Sequence, residues 1–292
     1  MSERIFKGAA TAIITPFTEY GVNFDVLEEL IEIQIAKGID GIVICGTTGE
    51  SSTMPDDEHK SAIKFCVEKV GGRIPVIAGA GSNDTKHAVH LSRYAQEVGA
   101  DAVLSVTPYY NKTTQNGLYE HFKTIAGSVD IPVILYNVPT RTGLNINPET
   151  QRRLSLIKNI AGVKECNLPQ VAEVASLCGE DYSIYAGDDF IVLPVMSLGG
   201  QGVISVSSNV IPHEMHEIAA SFLSGDIVKS RKLMLEYFDL MSAFFIEVNP
   251  IPVKTALAMQ RFNVGKCRLP LVDMEEKNLA ILRNIMQKHG LL

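Results

Sequence analysis

Eight short runs rich in valine and isoleucine recur along this chain at roughly thirty-residue spacing, each followed by a polar or glycine turn and then an amphipathic stretch. The runs are Ala10 to Thr15, Gly41 to Cys45, Pro75 to Ala78, Ala102 to Thr107, Pro132 to Tyr136, Ile160 to Lys164, Ser183 to Ala186 and Gly202 to Val206. Alternation of this kind is the signature of βα units and a parallel sheet. Eight similar units without a dinucleotide fingerprint favour a closed sheet over an open doubly wound one. The expected fold is therefore of the α/β class, a (β/α)8 TIM barrel.

The intervening stretches carry helical periodicity. Phe24 to Lys37 places Leu27, Leu30, Ile31 and Ile35 on one face, and Asp56 to Val70 does the same with Ile63, Val67 and Val70. Asn83-Asp84-Thr85 is suited to cap a helix that ends before Gly99, and Asn147-Pro148 opens another. Pro75 and Pro132 each stand at the first residue of a strand, where a missing N–H does least harm. After the eighth unit the pattern turns purely helical, with segments Ile227 to Val248, Val253 to Phe262 and Met274 to His289. The chain thus divides into a barrel over 1–224 that carries the active face and a C-terminal three-helix appendage over 225–292.

Composition limits the partners. With 46% apolar and 20% charged residues the chain can build a large core, which argues against disorder. A formal charge of -7 without a basic cluster speaks against nucleic acid or an anionic membrane, leaving a small molecule or another protein. Five cysteines at scattered spacings, with no C-x-x-C, suggest neither a disulfide framework nor a zinc knuckle. No apolar run approaches the ~18 residues of a spanning helix, and Gly8 to Ile14 reads as a first strand rather than a leader. A cytoplasmic protein with free thiols is expected.

In such a barrel the strand C-termini and the loops after them form the active face. Lys164 ends the sixth run. An amine held there loses water, which disfavours its charged form and prepares it to act as a nucleophile; alternatively its stem lies along the strand and its head reaches solvent. Around the same face stand Gly46-Thr47-Thr48-Gly49-Glu50, Pro108-Tyr109-Tyr110-Asn111, Tyr136-Asn137-Val138-Pro139 with Arg141, Gly187-Asp188-Asp189, and Ile204 to Asn209. An amine condenses with a ketone, hydroxyls and glycine-turn N–H groups hold a small carboxylate, a tyrosine moves protons, and an arginine clamps a second carboxylate. The set points to carbonyl chemistry on small acids.

Other motifs carry less. The glycine turn at 46–51 lacks the Lys-Ser/Thr pair of a nucleotide loop, and Gly79-x-Gly81 lacks a third glycine. His213 and His216, like His87 and His90, are spaced i, i+3 rather than the i, i+4 of a zinc-protease helix, and read as solvated helix faces. Asp188-Asp189 suits a helix N-cap better than a divalent ion. Nothing in the sequence demands a metal.

Several of these segments carry a resemblance. Gly46-Thr47-Thr48-Gly49-Glu50, Thr107-Pro108-Tyr109-Tyr110-Asn111, Tyr136-Asn137-Val138-Pro139-Thr140-Arg141-Thr142-Gly143 and Gly202-Val203-Ile204-Ser205-Val206 stand in order between Phe6-Lys7-Gly8 and Asn249-Pro250-Ile251-Pro252-Val253-Lys254, with Arg268-Leu269-Pro270 beyond. Nearly the whole chain resembles the pyruvate-dependent, Schiff-base-forming lyase family that includes N-acetylneuraminate lyase, and within it the synthases that join pyruvate to aspartate 4-semialdehyde in lysine biosynthesis. The resemblance implies that Lys164 forms the imine and that Tyr136 passes protons beside it. Thr47 and Tyr110 would extend a hydroxyl relay, Tyr110 reaching in from a neighbouring subunit of a homotetramer. Thr48, Gly187 and Ile204 would border pyruvate, with Thr47 and Thr48 taking its carboxylate, and Arg141 would orient the aldehyde. No cofactor is implied beyond the covalent imine.

Two departures stand out. After Lys164-Glu165 this chain continues Cys166-Asn167-Leu168-Pro169, about two residues shorter than the family pattern. In lysine-inhibited relatives an interface cleft is lined by residues matching Ser51, Ser52, His59, Asn83 and Tyr109, together with a histidine and a glutamate where this chain has Asp56 and His87. Without that glutamate the inhibitor's ammonium lacks its partner, so weak or absent inhibition is expected. The alternatives to a synthase are a pyruvate aldolase of a sugar acid and a non-catalytic sensor of a small acid.

Overall fold

The protein is described here by a computed structural model covering residues 5–292. Eight parallel strands close a barrel: β1 (Gly8–Ala12), β2 (Gly41–Ile44), β3 (Val76–Gly79), β4 (Ala102–Val106), β5 (Val133–Asn137), β6 (Ile160–Glu165), β7 (Ser183–Ala186) and β8 (Gly202–Ser205). Each pairs with its sequence neighbours, and β1 completes the ring by pairing with both β2 and β8. All eight expected runs are strands, so the (β/α)8 reading holds. The largest displacement is at β1, expected from Ala10 to Thr15. Its start is fixed by Gly8, whose φ of +114° and proximity to Asp40 exclude a side chain, while the Asp40 carboxylate accepts from the Ala9 N–H at 2.8 Å. Its end is fixed by Asn209, whose amide takes the Ala12 carbonyl and the Ile14 N–H out of the ladder.

Side chains along the strands alternate between two cores, as the two-residue period of a strand requires. Ala10, Val43, Ile77, Leu104, Ile134, Tyr136, Tyr185 and Ile204 fill the barrel interior. Ala9, Ile42, Val76, Val103, Leu135, Val163, Ile184 and Val203 face the surrounding helices in a second, larger cluster. Each fully buried Ile or Leu is worth about 1.5–3 kcal/mol. This alternation decides the site: because Val163 belongs to the outer core, Lys164 points inward.

The helices follow the expected spans closely, at Phe24–Ala36, Asp56–Val70, Thr85–Glu97 and Pro148–Ser155. Asp84 caps the third of these through Lys86 N–H. Asn147 makes no cap bond and instead accepts from Asn145. Beyond Gly225 the first expected helix breaks into Ile227–Glu236 and Phe238–Ala243, so four helices follow rather than three, with Ile251–Met259 and Glu276–Lys288. At the break Tyr237 stacks on His289 and Asp239 binds Lys288 and His289, contacts that sequence periodicity does not register. Val253, Leu257, Leu282 and Met286 of this tail join the outer core. No helix among the described residues is long and apolar enough to cross a membrane.

Candidate active site

Strand register assembles the centre. Tyr136 on β5, Lys164 on β6 and Tyr185 on β7 lie side by side in the ladder, all pointing into the barrel. The Lys164 ammonium is 4.5 Å from the centroid of the Tyr136 ring, and the residue is only 5% exposed. Burial pushes its pKa below the ordinary lysine value; Cys166, Asp188 and Asp189 nearby oppose this, and Arg141 adds to it. The lysine is therefore not a snorkelling surface residue. Burial raises the Tyr136 phenol, while Arg141 and a hydrogen bond with Thr47 pull it back down.

Thr47 and Thr48 come from the turn after β2, whose backbone is held in a strained shape: Cys45 and Glu50 both have φ of 56°. Gly49 N–H donates to the Gly46 carbonyl and Glu50 N–H to that of Thr47. The turn is anchored from below by Glu50, whose carboxylate meets the Lys254 ammonium at 2.7 Å with both side chains 2% exposed, and accepts from Arg268 N–H at 2.8 Å. Arg141 rides on the one-turn helix Pro139–Thr142 that follows β5.

Gly187, after β7, has no room for a side chain, because a Cβ there would lie 2.3 Å from Cys166 Sγ. Cys166 thus forms part of the wall beside Lys164, and Ile204 closes the interior below. The short loop after Lys164 is firmly tied. Glu165, fully buried on the outer side of β6, accepts from Asn137, Gln151, Gln170 and the Asn167 N–H, all at 2.8–2.9 Å. Burial raises its pKa against these donors.

Two cavities open on the barrel mouth. One of about 40 Å³ is bounded by Thr47, Tyr136, Leu104 and Gly79. The other, of about 340 Å³, is lined by Ser51, Ser52, His59, Tyr109 and Arg141, with Asp56 and His87. Thr47, Ser51, Gly81 and Val106 border both, so the small cavity beside Tyr136 and the larger cleft share a wall. Asn83 stands behind it, donating to the Tyr109 carbonyl at 3.2 Å. Tyr110 is 92% exposed and lines neither cavity of its own chain.

Two sequence readings need correction. Asp188 makes no cap bond; it sits by Cys166 and Lys164, while Asp189 fastens the turn after β8 through Val206 N–H, Ser207 N–H and Ser207 Oγ. His216 is not on a solvated face but bonds Asp40 at 2.8 Å, whereas His87 keeps an exposed side chain and bonds Asp56 at 2.9 Å at the edge of the cleft. Among the described residues no three His, Cys, Asp or Glu side chains converge on one point. Sequence reasoning also missed Asn249, whose Nδ2 donates to Thr48 Oγ1 at 2.9 Å and whose carbonyl accepts from Arg141 at 3.3 Å. It lies in a segment read only as helical appendage, and the sole hint was the Asn-Pro-Ile-Pro motif.

Comparison with known proteins agrees with this geometry. The family model described as the dihydrodipicolinate synthetase family matches residues 5–289. A protein of Acetivibrio thermocellus named 4-hydroxy-tetrahydrodipicolinate synthase is 62% identical over 292 residues, covering 100% of both chains. One of the same name from a Thermoanaerobacter species is 58% identical, covering 99% of this chain and 98% of its own. The crystal structure of dihydrodipicolinate synthase from Aquifex aeolicus superposes with a TM-score of 0.96 at 47% identity, over 98% of this chain and 99% of that one.

Proposed function

The chain belongs to the dihydrodipicolinate synthetase family, and from that premise we propose that it condenses pyruvate with L-aspartate 4-semialdehyde to give 4-hydroxy-tetrahydrodipicolinate, the first committed step of lysine biosynthesis through diaminopimelate. The observation that carries the mechanism is Lys164, buried, pointing into the barrel and facing the Tyr136 ring.

Lys164 as a free amine adds to the pyruvate ketone and water leaves, giving an imine. The imine draws electrons from the adjacent methyl, which loses a proton to the Tyr136 relay through Thr47 and, from a neighbouring subunit, Tyr110. The enamine attacks the aldehyde carbon, and the new alkoxide takes a proton. The substrate's own amine then adds to the imine carbon, closes the ring and releases Lys164. Thr47 and Thr48 hold the pyruvate carboxylate, Gly187 and Ile204 border the bound pyruvate, and Arg141 orients the aldehyde. The imine is itself the electron sink, so the reaction draws on no organic cofactor or metal.

We take residues 1–224 as the unit bearing the chemistry and 225–292 as a helical unit that braces it. The assembly is a homotetramer of tight dimers, with the exposed Tyr110 as the residue that crosses between subunits. A cytoplasmic location is part of the same reading, which the free cysteines support.

Borohydride reduction in the presence of pyruvate tests the mechanism: a stable adduct is expected on Lys164, and an unmodified Lys164 excludes the reading. Only the neutral amine attacks, so the trapping rate rises with pH through a midpoint below the ordinary lysine value of 10.5. Asp188 supports the charged form, so Asp188→Asn moves that midpoint further down.

The cleft beside the site bears on feedback. The position expected to carry a glutamate holds His87, whose imidazole bonds Asp56 Oδ1 at 2.9 Å, so the cleft lacks a carboxylate at that position for an incoming ammonium. L-lysine should inhibit weakly or not at all. Steady-state assays that found half-inhibition at micromolar to low-millimolar lysine would overturn this.

A further inference from the structure

We propose that Asn249 reads the α-amino group of the second substrate, a role that rests on the condensation proposed above. Asn249 lies between helices Phe238–Ala243 and Ile251–Met259 and reaches over the strand ends, 5% exposed. It touches both groups assigned to carboxylates. Its Nδ2 donates to Thr48 Oγ1 at 2.9 Å, and its backbone carbonyl accepts from Arg141 Nη2 at 3.3 Å. Its remaining polar atom, Oδ1, is buried without a hydrogen-bond partner.

Native structures leave few buried amide oxygens unpaired, so Oδ1, standing beside Thr48 and Arg141, lacks a donor that the second substrate would supply. The chemistry of the second substrate supplies the donor. In an α-amino acid the nitrogen is one carbon from the carboxylate, so an aldehyde held by Arg141 brings its amine to the residue that Arg141 touches. The bond to Thr48 uses a lone pair of the threonine and leaves its hydrogen to donate to pyruvate.

An amide oxygen also suits what the amine does next. It accepts from –NH3⁺ and from –NH2 alike, so it orients the nitrogen without holding the proton that must leave before the ring closes. A carboxylate in its place would favour the charged form.

The test compares the full-length protein with Asn249→Ala, using aspartate 4-semialdehyde and succinic semialdehyde, which is the same aldehyde without the amine. The variant should raise KM for the amino-aldehyde by about tenfold, the effect of one hydrogen bond to a charged group. The inhibition constant of succinic semialdehyde should stay close to wild type, while KM for pyruvate rises modestly because Thr48 loses the Nδ2 donor. Equal weakening of both aldehydes would overturn the proposal. If the alanine variant does not fold, the isosteric Asn249→Asp decides: it should keep the preference for the amino-aldehyde while kcat falls, and loss of that preference overturns the idea. Trapping in the wild-type protein tests the condensation itself, so the two readings fail by different measurements.

Discussion

Lys164→Ala will lower kcat by on the order of 10³-fold or more, the scale of losing a covalent nucleophile, and will abolish borohydride adduct formation with pyruvate. Every proposed step runs through the imine, so no neighbouring group substitutes for the amine. The fold should survive, because Lys164 lies in the barrel interior as a lone buried amine rather than as half of an ion pair, and its removal relieves the desolvation that lowers its pKa. Circular dichroism and thermal melting check this. Lys164→Arg is the sharper variant: it keeps the positive charge and much of the volume, but a guanidinium stays protonated and forms no imine. Turnover by that variant would remove Lys164 from the mechanism. Pyruvate binding with no turnover by the wild-type protein would instead favour a sensor.

The second large effect is on stability. Lys254→Met leaves the Glu50 carboxylate 2% exposed and without its cation, and breaking such a pair typically costs about 3–5 kcal/mol. For a chain of this size that corresponds to a fall in Tm of roughly 10 °C. The double variant Glu50→Gln/Lys254→Met removes both charges and should recover much of the loss, which distinguishes an uncompensated charge from simple loss of packing. Since Glu50 closes the turn that presents Thr47 and Thr48, the single variant should also raise KM for pyruvate. Unchanged Tm and KM would show that the pair is dispensable.

Most of the fold was readable in the chain because a parallel barrel writes its period into the sequence. Strands buried on both faces stay apolar along their length, and helices with one buried face repeat every three to four residues. The break at Tyr237 was not readable: contacts to His289 and Lys288, some fifty residues away, set it, and no local residue does. The histidines show the same limit. His216 and His87 have surface-like spacing, and their carboxylate partners come from other elements, Asp40 and Asp56.

The sequence by itself determined the barrel, the residue types at its strand ends and, through its motifs, the family. Lys164 alone was ambiguous there, since a lysine ending an apolar run fits solvent as well as a barrel interior. Only the tertiary structure decided its direction, because the phase of a strand is set by which neighbours fill the two cores, and Val163 packing outward turns Lys164 in. It also brought Asn249 and Lys254 to the turn that holds Thr47 and Thr48, across some two hundred residues, where no local pattern marks the contact.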